Sequence, residues 1–141
     1  MRRRHFTAFI GAAMASPGAR AQAKTYKIGF LTLDPTESAS VLAKPLEAMG
    51  YVAGRNLALD YRSADGDPAR LPALAADLVR TSPDVLVAGW GTLAPKALKA
   101  ATSTVPIVFA TAGDPLGAGL VQSLARPGGN VTGMSGQSSE L

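Results

Sequence analysis

Short apolar runs alternate with amphipathic stretches along almost the whole chain, and this alternation restricts the fold more than any other property of the sequence. Tyr26-Lys27-Ile28-Gly29-Phe30-Leu31-Thr32-Leu33 has the length and the aromatic and β-branched bias of a strand buried on both faces. Ser38 to Met49 reads as a helix closed by Gly50 in a left-handed cap. Asn56-Leu57-Ala58-Leu59-Asp60-Tyr61 is a second strand. Asp67-Pro68 then starts a second helix, with a side-chain acceptor at the cap and a proline where its missing N–H costs nothing. Leu71, Leu74, Ala75, Leu78 and Val79 form its apolar stripe, and the helix should end near Thr81.

The second half repeats the pattern. Val85–Ala88 is a third strand, Leu93–Ala101 a third helix, Ile107–Ala110 a fourth strand and Gly117–Leu124 a weaker fourth helix. Pro127-Gly128-Gly129-Asn130 is a turn, and Val131-Thr132-Gly133 begins a fifth strand. Strands that alternate with helices over short turns must run parallel, joined by right-handed crossovers, so the expected fold is α/β, a doubly wound parallel sheet. Pro45 falls inside the first helix, where proline costs about 3 kcal/mol or more unless the helix kinks or starts late, and a kink is expected there.

The first 23 residues stand outside this pattern. Arg2-Arg3-Arg4-His5-Phe6, an apolar run from Thr7 to Ala15 and the small-x-small site Ala21-Gln22-Ala23 together read as an export signal cleaved near Lys24. The adjacent arginines followed by x-Phe fit twin-arginine export, while Thr7 at an apolar position leaves the general secretory route open. A membrane anchor would need an apolar run of roughly 20 residues. The expected destination is the periplasm. Four of the fourteen basic residues lie in the signal, which leaves ten against ten acidic residues in the remainder. That balance offers no electrostatic footprint for nucleic acid.

The same cut removes His5, the only histidine, and the chain has no cysteine. A His-based triad, a cysteine nucleophile, an imidazole or thiolate metal site and a disulfide are all excluded from the rest. The loop after the first strand carries neither G-x-G-x-x-G nor a Walker pattern, and Leu33, Asp34 and Pro35 interrupt the Ser/Thr-rich nest that a flavin phosphate would need. No enzyme, cofactor or metal is expected.

In an open parallel sheet ligands bind beyond the carboxyl ends of the strands, where helix N-termini face the crevice. The segments placed there are Thr32–Thr36, Gly89–Thr92, Thr111–Pro115 and Thr132–Ser135. Gly91 allows close backbone approach, and Thr92 either caps the third helix or offers a hydroxyl to a carboxylate. Asp114, before Pro115, either caps a helix or pairs with a ligand ammonium. Thr32 and Ser135 complete the candidate ligand-binding set, and Trp90 either stacks on a ligand or lies against another part of the protein.

Several blocks carry a resemblance. Gly50-Tyr51-Val52 with Gly54-Arg55-Asn56, Tyr61-Arg62, Arg70-Leu71-Pro72-x-Leu74-Ala75, and Ala100 to Phe109 are followed by Gly113-Asp114-Pro115 and Ala125-Arg126-Pro127-Gly128-Gly129-Asn130-Val131-Thr132-Gly133. With these the chain resembles the ABC-transporter substrate-binding proteins of the tryptophan/tyrosine type, which have the type I periplasmic binding protein fold. The resemblance implies one flavodoxin-like lobe over residues 24–135, the start of a hinge at 136–141, and a second lobe that the 141 residues do not include. It implies capture of a small solute, with an amino acid as the family-level expectation, and an ABC permease in the inner membrane as partner once a second lobe completes the cleft. Pro45 and Trp90 depart from the pattern. An inactive truncated remnant, or a stand-alone flavodoxin-like domain with a regulatory or hydrolytic role, are the alternative readings.

Overall fold

The computed structural model describes residues 24–123 and 128–136. Its elements are β1 (Tyr26–Thr32), α1 (Ser40–Ala48), β2 (Leu57–Ser63), a 3-10 turn (Pro68–Arg70) leading into α2 (Leu71–Arg80), β3 (Val85–Ala88), α3 (Leu93–Ala101), β4 (Ile107–Ala112) and β5 (Val131–Ser135). All strand pairs are parallel and the sheet order is β2-β1-β3-β4-β5. This is the doubly wound α/β lobe expected from the alternation, and its strand order reverses between β1 and β3.

Helix ends follow local chemistry. Gly50 adopts φ 95°, its N–H donates to Glu47 O at 3.0 Å, and Tyr51 N–H reaches Leu46 O at 2.9 Å. This pair of bonds satisfies the last carbonyls of α1 in a Schellman arrangement. Asp67 caps the 3-10 turn by accepting Ala69 N–H at 3.0 Å, with Pro68 at the first position. Pro45 lies within α1, which continues to Ala48, so the proline does not end the helix.

The core lies between the sheet and the α2–α3 pair. Leu31, Leu71, Leu78, Leu86, Leu98, Ile107 and Phe109 are all buried there, each such side chain contributing about 1.5–3 kcal/mol. Gly29 sits where a Cβ would come within 2.7 Å of Leu86 Cδ2, so this glycine lets β1 and its neighbours close against α2. Right-handed crossovers place α1 on the other face. That side is thinly covered: α1 buries no residue completely, and Val108 and Met134, which strand alternation turns away from α2 and α3, are exposed.

One expectation is corrected. Residues 115–120 form turns instead of the start of a fourth helix, and Leu124 lies outside the described residues. Gly117 and Gly119 fall within three positions of each other, and Gly119 takes φ 74°. Each glycine costs a helix about 1 kcal/mol relative to alanine, and a left-handed residue ends it.

Candidate functional site

The carboxyl ends of β1, β3, β4 and β5 lie side by side along one edge of the sheet, so topology gathers the loops that carry the candidate residues. Ala64 N–H bonds Thr32 O at 2.9 Å, Gly89 N–H bonds Leu31 O at 2.8 Å, and Gly91 N–H bonds Thr111 O at 3.0 Å. Gly136 N–H bonds Ala112 O at 2.9 Å. These bonds tie each loop to its neighbouring strand and form a continuous rim.

Thr32, the last residue of β1, is completely buried. Its hydroxyl donates to Glu37 Oε2 and accepts Asp34 N–H at 3.1 Å. Asp34 in turn accepts both the N–H and the hydroxyl of Thr36, each at 2.7 Å. The Thr36 hydroxyl first, and the Thr36 N–H with it, hold the Asp34 carboxyl below the usual carboxylate range. The β1–α1 loop is thus ordered by its own side chains.

Glu37 is the residue that sequence reasoning missed. Its carboxylate lies at the point where the strand order reverses, taking the Thr32 hydroxyl on one oxygen and Trp90 N–H, at 3.4 Å, on the other. Tyr61 of β2 donates its hydroxyl to the Glu37 main-chain carbonyl. A Cβ on Gly89 would fall 2.2 Å from Glu37 Oε2 and 2.6 Å from Thr32 Oγ1, so glycine at this position is what lets the carboxylate lie against the end of β3. Glu37 and Trp90 are 53 positions apart, and no local pattern joins them. The signal that pointed to the spot was the glycine pair around Trp90.

Gly91 takes φ 94°, a left-handed turn that suits glycine, and leads into α3. Thr92 occupies the N-cap position of α3, yet its side chain makes no capping bond. Thr92 is half-buried and Leu93 exposed at this helix end, whereas Ala94 is completely buried and Pro95 at the third helical position has no N–H to offer. Partial positive charge at this helix end favours an anion, by about 0.3–1 kcal/mol at an exposed terminus.

Asp114 is exposed and accepts Gly117 N–H at 2.8 Å, which makes it the cap of a turn rather than of a helix. Its bonds stay within its own loop. Ser135 ends β5, exposed and opposite Ala112 across a register irregularity. The structure thus joins Thr32 to the Gly89–Trp90 turn through Glu37 and Gly91 to the end of β4, and it leaves Asp114 and Ser135 further along the same rim. Two hollows of about 200 Å³ lie elsewhere, beside Lys27, Ala58 and Thr81 and beside Tyr26, Leu46 and Tyr51, among residues at the opposite strand ends. Among the described residues no group of histidine, cysteine, aspartate or glutamate side chains is arranged to hold a metal, and no helix is long and apolar enough to cross a membrane.

Comparison with known proteins agrees with this architecture. The family model describing ABC transporter substrate binding proteins matches residues 36–140. A tyrosine-binding protein of Clostridioides difficile is 38% identical over 92 residues, which are 65% of this chain and 26% of that protein. Among solved structures, a conserved domain protein from Vibrio cholerae superposes with a TM-score of 0.74 and 41% identity over 82% of this chain and 40% of its own. An ABC domain from Streptococcus pneumoniae in complex with L-Trp gives a TM-score of 0.70 and 31% identity, over 79% of this chain and 39% of its own. The chain spans about a quarter of the curated relative and about two fifths of the solved ones.

Proposed function

The chain belongs to the ABC transporter substrate-binding protein family, and from that membership we propose that residues 24–135 are the solute-capturing lobe of an exported binding protein whose solute is an amino acid, with an aromatic one favoured. The observation that carries the reading is the unbonded Thr92 hydroxyl at the open end of α3, on the strand-end rim of a 2-1-3-4-5 sheet. The tyrosine and L-Trp named for two relatives support the choice of solute.

In this reading the Thr92 hydroxyl and the N–H of the exposed Leu93 take the solute carboxylate. The positive end of the helix favours that group, and the bonds are formed without removing any capping interaction. Asp114 supplies a negative charge further along the rim for the ammonium, and Gly91 keeps the backbone open to close approach. Ser135, exposed further along the rim, adds a neutral donor or acceptor, whereas Thr32 acts from behind, by holding Glu37. A second lobe closing over this rim excludes water and strengthens each of these contacts. Delivery to an ABC permease, and export directed by residues 1–23, complete the proposal.

An NMR titration of the 15N-labelled chain with L-tryptophan and L-tyrosine tests it. One lobe alone forgoes most of the 70–90% ligand burial usual in such pockets, so a dissociation constant on the order of a millimolar is expected. The amides of Gly91, Thr92, Leu93, Ala94 and Asp114 should move, with those of Ala58 and Tyr51 unmoved. A silent rim at 10-fold that ligand concentration, or changes confined to the opposite strand ends, would overturn the proposal.

A further inference from the structure

The Glu37 carboxylate is held in place, yet among the described residues no ion pair balances it. It is half-buried and fixed by a wholly buried threonine hydroxyl and, at long range, by a backbone N–H. Among the described residues the ion pairs engage Asp60, Asp65, Asp77 and Asp84, and none reaches Glu37. An ionised carboxylate offers about four lone-pair sites, and two neutral donors leave capacity for more. The residue whose N–H binds it, Trp90, is 67% exposed, an unusual placement for the chain's one tryptophan.

We propose that Glu37 and Trp90 form a cation subsite at the junction of β1 and β3, which selects solutes carrying a positively charged amine. The ammonium donates to the free lone pairs of Glu37 while the indole face offers its negative quadrupole. A primary or secondary amine fits this pair better than a divalent metal ion, which would need several oxygen ligands that the site does not supply. The subsite lies on the same rim as Thr92, so the inference rests on the solute reading above and adds to it: Glu37 reads the amine of the solute at β1 and β3, with Asp114 a second carboxylate further along the rim.

Three probes separate the two ideas: L-tryptophan, tryptamine, which lacks the carboxylate, and indole-3-propionate, which lacks the amine. In NMR titrations of the whole chain, tryptamine and L-tryptophan should move the Glu37, Gly89 and Trp90 amides, and indole-3-propionate should move only Thr92 to Ala94. Glu37→Gln keeps one oxygen to accept from the buried Thr32 hydroxyl and gives up only the long Trp90 N–H contact at 3.4 Å, so its melting temperature should stay close to that of the parent. It should weaken tryptamine by about tenfold or more and leave indole-3-propionate unchanged. Trp90→Ala, at an exposed position, should weaken tryptamine several-fold. Tryptamine binding equally well to the parent and to Glu37→Gln, or not binding while indole-3-propionate does, overturns the subsite. Tryptamine binding that depends on Glu37 with no response to indole-3-propionate leaves the subsite standing and overturns the amino-acid reading; silence toward all three overturns both.

Discussion

Thr32 Oγ1 donates its hydrogen bond to the Glu37 carboxylate, and this contact closes the β1–α1 loop over the reversal point of the sheet. The threonine is wholly buried, so its side chain serves the loop and not the solvent. Thr32→Val keeps the shape and removes both the donor to Glu37 and the acceptor for Asp34 N–H. The expected loss is about 1–3 kcal/mol, the usual consequence of leaving such groups unsatisfied, measured by urea denaturation. No loss of stability would mean that the loop is held by other contacts.

Gly89 and Gly113 make opposite predictions for the same substitution. A Cβ on Gly89 meets the Thr32 side chain at 2.6 and 2.8 Å as well as Glu37 Oε2, whereas a Cβ on Gly113 meets nothing within 4 Å. Glu37 can swing aside; a buried threonine within a strand cannot. Gly89→Ala should therefore lower stability by about 1–3 kcal/mol and change the fluorescence of Trp90, while Gly113→Ala stays within about 0.5 kcal/mol of the parent. Equal stability of the two variants would contradict the close packing at the end of β3.

Pro45 is exposed in the interior of α1. There it removes one i→i−4 bond and crowds the preceding turn. Pro45→Ala should stabilise the chain by about 1–2 kcal/mol, the helix gain being partly offset by the greater freedom that the unfolded chain acquires. Thermal and urea unfolding would both register the change, and a destabilised variant would show that the proline shapes a contact α1 needs.

Asp84 accepts Lys27 N–H at 2.8 Å and pairs with Lys24 Nζ at 3.1 Å. The Lys27 N–H first, then Lys24, depress its carboxyl below the ordinary 3.8. A depressed carboxyl binds its proton less readily when folded than when unfolded. Its contribution is therefore complete above the unfolded value and disappears as pH falls below 3.8 through the folded value. Stability measured from pH 6 downward should fall more steeply below about pH 4 for the parent than for Asp84→Asn. Parallel curves would refute the assignment to this group.

Where the sequence was read correctly, the signals were local. β3 and α3 were expected over Val85–Ala88 and Leu93–Ala101 and occupy those residues, because Gly89 and Gly91 separate the short apolar run from the amphipathic stretch that follows. The Gly50 cap and the Asp67-Pro68 start were legible for the same reason. The segment after Asp114 misled because its apolar spacing suggested a helix that Gly117 and Gly119 do not sustain. Glu37 stayed hidden for a different reason. Its role arises from a bond to a residue 53 positions away, made possible by parallel pairing of β1 with β3 and by the absence of a side chain at Gly89. Nothing in the Asp34-Pro35-Thr36-Glu37 stretch itself announces that contact.

Thr92 is where the account is most exposed to measurement. Its hydroxyl caps nothing, so a purely structural role predicts almost no effect on removal, and a capping role predicts a loss of about 0.5–2 kcal/mol. The decisive measurement is the L-tryptophan affinity of Thr92→Ala beside its melting temperature, in the whole chain by NMR titration. The solute-binding account predicts an unchanged melting temperature with affinity reduced about tenfold, as expected for one hydrogen bond to a charged carboxylate. A lowered melting temperature with unchanged affinity would contradict it.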